Sequence, residues 1–129
     1  MRFLLPEGWP RPRGYSNGIE ATGRQVYVAG MIGWDENEKF KQGFVDQLEQ
    51  VLKNTVAVLA EAGAGPEDIV RMTWYVKGLD LYRDNMPGIG RVYRSVLGKC
   101  FPAMAVVGVS DLVEPEALLE IETTAVVEG

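Results

Sequence analysis

The stretch KCFPAMAVVGVSDL, Lys99 to Leu112, constrains the fold more than any other part of the chain. It has the β-branched, extended character of a strand, and alternate strand residues point to opposite faces. Ala103, Ala105, Val107 and Val109 share one face, and Met104 and Val106 share the other. Neither face is polar, so both need cover. The chain offers two long helical segments, enough for one face of a sheet of about four to six strands. The second face calls for cover from outside, and another copy of the chain is the simplest source. A crevice between such copies is a natural ligand site.

The helices are read from their period. Phe44, Leu48, Val51, Leu52, Val56 and Leu59 fall on one helical face, with Asp46, Glu49, Gln50 and Lys53 opposite. Gly63 closes this helix and Pro66 follows. The segment LDLYRDNMPGIGRVYRSVLG reads as the second helix, with Asn85 as N-cap, Pro87 in the first turn and Ile89, Val92, Tyr93, Val96 and Leu97 as its apolar stripe. Strand signals lie at Arg2 to Leu5, Asn17 to Ala21, Gln25 to Gly30, DIVRMTWYVKG, Pro102 to Val109 and Leu118 to Val127. Gly23 between the second and third predicts a hairpin turn.

The chain has 129 residues, which suits a single domain spanning 1–129, and 47% hydrophobic against 24% charged residues implies a globular one. Eighteen acidic against 13 basic residues give a net charge of -5, which argues against nucleic acid as a partner. The one basic cluster, Arg11 and Arg13, is too small for a duplex footprint. Histidine is absent, which excludes His-dependent nucleophile systems and His-ligated metals. Cys100 stands alone, so it forms no intrachain disulfide and no thiolate metal site, and it fits a reducing compartment. The apolar run in MRFLLPEGWP is broken by Pro6 and is too short for a secretory signal, and no run approaches a membrane span. The expectation is a cytoplasmic protein with no membrane partner, no metal and no cofactor.

The final strand alternates. Leu119, Ile121, Ala125 and Val127 point one way, and Glu120, Glu122 and Thr124 the other. Glu120 and Glu122 stand roughly 7 Å apart on that face. Covering it would draw at least one carboxylate into a partly dry interface, and burial that raises a carboxylate pKa suits general acid–base work.

Four motifs together resemble the RidA (YjgF) family, also called L-PSP endoribonucleases. GYSNGI is similar to the family's G-P-Y-S-x-A, YVAGMIG to Y-x-S-G-Q-I, FPAMA to F-P-A-R-S, and EIETTAVV to E-I-E-A. The resemblance runs from about Gly14 to Val127. It implies a chorismate-mutase-like α+β domain, a mixed sheet with two helices on one face. It also implies a homotrimer with a barrel-like core of sheets and one site in each of three subunit clefts. The implied activity is imine and enamine deamination of a small-molecule substrate. Glu120 then handles a water and Tyr15 closes the cleft, while Ala29, Gly30, Met104 and Ala105 meet the substrate.

The departures matter as much. Met104 occupies the place of the arginine that holds the substrate carboxylate in the family's deaminases, which puts the chain in an arginine-lacking subgroup. A thioether cannot pair with a carboxylate. Val106 replaces a cysteine, and Gly90 stands where some members carry asparagine, with Arg91 beside it as a candidate substitute anchor. Small amino-acid imines are expected to bind poorly. The plainer readings take Met104 as an interface filler, Arg91 and Arg94 as a solvated helix face, Trp34 and Trp74 as packing, Glu122 as structural, and Cys100 as inert. The alternative function is a metabolite-binding trimer without turnover. The charge balance and missing histidine count against a ribonuclease.

Overall fold

A computed structural model describes residues 1–129. Helix α1, Phe44–Glu61, buries Phe44, Gln47, Leu48, Val51, Leu52, Thr55 and Leu59, the face its spacing dictates. It ends where Gly63 turns to φ 69°, and the N–H groups of Gly63 and Ala64 donate to the Ala60 and Leu59 carbonyls at 3.0 Å. This pattern satisfies the last carbonyls of the helix. The second helical segment is split. A single turn, α2 (Asp80–Arg83), precedes α3 (Met86–Leu97). Pro87 lacks an N–H and would clash with the carbonyl one turn before it, so the helix restarts ahead of it. Asn85 holds the N-cap position, but its amide turns back and donates to the Leu81 carbonyl at 2.6 Å, tying the two helices together.

The main sheet has four strands: β3 (Arg24–Ile32), β4 (Ile69–Val76), β5 (Ala103–Gly108) and β6 (Leu119–Val127). Their order is β3-β6-β4-β5, with β6 antiparallel to both neighbours and β4 parallel to β5. The parallel pair is joined through α2 and α3, as a parallel connection requires. The remaining strands, β1 (Arg2–Phe3) and β2 (Ile19–Glu20), form a separate ribbon. The expected hairpin at Gly23 does not exist. β2 pairs with β1, while β3 pairs with β6 from Arg24↔Val127 onward. Gly23 serves a close approach instead, since a Cβ there would stand 2.2 Å from the Val127 carbonyl oxygen.

Both long helices pack on one face of this sheet. α1 lies over β3 and β6 and against α3. Trp74, Met72, Leu119, Ile121, Leu48 and Leu52 form the centre of the core at no more than 1% exposure. Met104 and Val106 of β5 point to this side and pack against the core margin. The other face carries no helix. Its β5 residues Ala103, Ala105 and Val107 are apolar, as expected, but its middle strands are not. There Arg71, Thr73 and Tyr75 of β4 lie beside Glu120, Glu122 and Thr124 of β6. The uncovered face is therefore apolar along β5 and polar through its middle strands, as the alternation of β6 implies and as β5 alone does not.

Candidate functional site

On the uncovered face, β3 bulges between Val28 and Met31, and Ala29 and Gly30 occupy the irregularity. Glu120 on the adjacent strand is opposite Ile32 on one side and Tyr75 on the other. Its carboxylate lies across Gly30, where a Cβ would stand 2.1 Å from Oε2. Only glycine leaves that space. The two glutamates of β6 differ in what they hold. Glu122 accepts a 2.6 Å hydrogen bond from the Tyr75 hydroxyl, which raises the Tyr75 pKa because ionisation would break that bond and oppose two negative charges. Glu120 has no ion pair and no hydrogen-bond donor within the chain. Half-buried over a glycine and free of partners in the chain, Glu120 is the carboxylate of the pair left open to a ligand.

The helix side of the sheet carries a different feature. An open cleft of about 1080 Å³ lies between β5, α3 and the segment before β2. Met104, Val106 and Trp74 line it from the sheet, and Met86, Ile89 and Tyr93 from α3. Trp74 meets Tyr82 edge-on at 6.0 Å between ring centroids and Tyr93 at 6.2 Å. Tyr15 and Phe101 stand at the rim. Tyr15 is placed there by its neighbour. The Ser16 N–H donates to the Pro102 carbonyl at 3.0 Å and its hydroxyl to the Phe101 carbonyl, stitching this segment to the start of β5. The Tyr93 hydroxyl donates to the Cys100 carbonyl at 2.8 Å. Burial pushes the Tyr93 phenol far above its usual range and raises the Cys100 thiol too, so both stay protonated near neutrality. Cys100 is thus no ready nucleophile.

The residues expected to form one site fall into two sets. Ala29, Gly30, Ala105 and Glu120 belong to the uncovered face, and Tyr15 and Met104 to the cleft on the helix side. Arg91 lines neither; Arg94, Arg13 and Lys99 line the cleft instead. The sequence reads Trp74 and Arg94 as packing and surface, and it gives no sign that Tyr82 and Tyr93 wall a cleft. The Gly90/Arg94 pair at helical i, i+4 spacing was the available signal. No group of three or more Cys, Asp or Glu converges to hold a metal, and no helix is long and apolar enough to cross a membrane.

Comparison with known proteins settles the ancestry. Residues 10–127 match the family described as Endoribonuclease L-PSP. The chain belongs to the RidA (YjgF/L-PSP) family. A RutC-family protein of Aquifex aeolicus is 35% identical over 98% of this chain and 99% of its own. A protein of Dermatophagoides farinae named 2-iminobutanoate/2-iminopropanoate deaminase is 31% identical over 92% of this chain and 91% of its own. Among solved structures, a Rid-family protein of Yersinia pestis superposes with a TM-score of 0.85 at 34% identity, covering 98% of each chain. The α+β architecture with a mixed sheet is therefore that of the RidA family.

Proposed function

We propose that this RidA-family chain is a hydrolytic deaminase of an imine- or enamine-type metabolite, working as a homotrimer whose sites form between copies. The observation that carries this reading is the separation of the two sets. Glu120 and the Tyr15–Met104 cleft lie on opposite faces of one sheet, two strand spacings or roughly 10 Å apart in the sheet plane. One small molecule cannot meet both within a single chain. A second copy laid along the apolar β5 side of the uncovered face would bring its own Gly30 and Glu120 to the cleft and cover Ala103, Ala105 and Val107.

In the joined site Glu120 accepts a proton from water as the water oxygen bonds to the C=N carbon and the π pair moves onto nitrogen. The proton passes to that nitrogen, giving an amino alcohol. A second transfer through the same carboxylate, from hydroxyl to nitrogen, breaks the C–N bond and releases ammonia with a carbonyl product. Backbone groups near Gly30 and Ala105 hold the substrate's polar atoms. Tyr15 closes the rim. The deaminase name of the mite relative supports this chemistry, and a reducing, cytoplasmic setting suits the unpaired Cys100.

The test is ammonia release from imines generated in the cuvette. Wild type should accelerate it and Glu120→Gln should not. Met104→Arg should extend the range to 2-iminopropionate. A preparation that binds substrate analogues yet accelerates no imine, in wild type or in Met104→Arg, would leave a binding protein in place of an enzyme.

A further inference from the structure

Met104 brings no charge to the cleft, yet the cleft is not neutral. Arg13, Arg94 and Lys99 line it, no acidic residue does, and none of the three cations is in an ion pair. Of these, Arg94 lies against its own helix. It lies one turn beyond Gly90 on α3, and its guanidinium folds back along the helix so that a Cβ at Gly90 would stand 3.1 Å from Nη1. Long helical side chains lean toward the helix N-terminus, over the residue four positions earlier. A bare glycine at that position leaves the guanidinium room to lie flat. Glycine is among the poorest helix formers, so Gly90 is unfavourable for α3 itself. Its small size serves the side chain above it.

The lining has to be matched as well, since a two- or three-carbon anion held by Arg94 would leave the apolar wall unused. The surface below Arg94 is apolar and aromatic: Met104, Ile89, Tyr93 and Trp74.

We infer that Arg94, bedded on Gly90, is the carboxylate anchor of this cleft in place of a cation at position 104, and that the cleft selects 2-imino and 2-oxo acids with a large apolar or aromatic side chain. The guanidinium offers a planar fork to the carboxylate. The side chain of the ligand lies on Met104 and the aromatic wall. This rests on the deaminase reading for the imine, whereas the anchor stands on binding alone.

Isothermal titration separates the two. The probes are phenylpyruvate, pyruvate, and benzyl methyl ketone, which keeps the ring and ketone but lacks the carboxylate. Phenylpyruvate should bind at least about tenfold more tightly than either of the others. Arg94→Gln should weaken it about tenfold, and Gly90→Ala, which crowds the guanidinium, about threefold. Arg83→Gln, outside the cleft, should leave it unchanged, with circular dichroism verifying the fold of each variant. Equal affinity for pyruvate and phenylpyruvate, indifference to Arg94→Gln, or no binding of any probe by wild type overturns the inference. Ammonia release from the phenylalanine-derived imine is measured in parallel. Binding that depends on Arg94 without any release removes the deaminase reading and keeps the anchor. Release that ignores Arg94→Gln does the reverse.

Discussion

On the helix side of the sheet, Met72, Trp74 and Ile121 are at most 1% exposed, whereas on the other side Tyr27 is 70% exposed and Val107 39%. The first face is finished by the chain itself. The second presents polar groups through its middle strands and an apolar border along β5, and it is there that the proposed partner copy and the proposed base Glu120 would meet. The difference teaches where each kind of residue can be altered. Substitutions in the core under the helices should be read in stability, those lining the cleft in binding, and those on the uncovered face in assembly and rate.

The largest effect expected from breaking this division is on rate. Glu120→Gln should lower ammonia release by about 10²- to 10⁴-fold, the usual worth of a positioned acid–base group, while thermal denaturation stays near wild type. Gly30→Ala should act on the same step without touching the carboxylate itself. Its methyl group would occupy the space of Oε2, so activity should fall at least about tenfold with Glu120 intact, because small misplacements of a reacting group are costly. On the other face, Trp74→Ala should cost about 3–5 kcal/mol in urea denaturation, the range for removing a buried aromatic side chain. If Trp74→Ala changed only activity, or Gly30→Ala only stability, the division would fail.

Two smaller effects sharpen it. Val107→Asp places a charge on the apolar border, and sedimentation should show the proposed trimer replaced by smaller species with secondary structure retained. Tyr93→Phe should cost about 1 kcal/mol near neutrality, through the lost hydrogen bond to the Cys100 carbonyl. Its alkaline behaviour has a definite sign. Burial raises the phenol in the folded state, so the tyrosine's contribution is whole below the ordinary tyrosine pKa of about 10 and is lost as pH climbs above it. Denaturant midpoints of wild type should fall more steeply above that pH than those of Tyr93→Phe.

Much of this was legible in the sequence where neighbours are local. Helix α1 follows from the spacing of Leu48, Val51, Leu52 and Leu59, and its end from Gly63. The two apolar faces of β5 were readable because the strand period is two. What failed depended on distant partners. Gly23 looks like a turn glycine, but its role is set by Val127, more than a hundred positions away. The polar face of β6 is readable from its alternation, but its pairing with β4 is not, and only that pairing sets Tyr75 against Glu122. The cleft was harder still. Trp74, Tyr82 and Tyr93 have the pattern of core residues, and nothing in their spacing says that a space opens beside them. Family resemblance marks Glu120, Tyr15 and Gly30, whereas only the guanidinium lying over Gly90 marks Arg94.

The central claim is that each site takes its cleft from one copy and its glutamate from another. Co-expression of two inactive variants tests it most directly: Glu120→Gln, which lacks the base, and Met104→Glu, which sets a like charge against an anionic substrate. Random assembly of equal amounts gives about a quarter of the sites both intact halves, so the mixture should recover about a quarter of wild-type ammonia release. A mixture that forms mixed trimers yet stays as inactive as its two parents would show that the site lies within one chain.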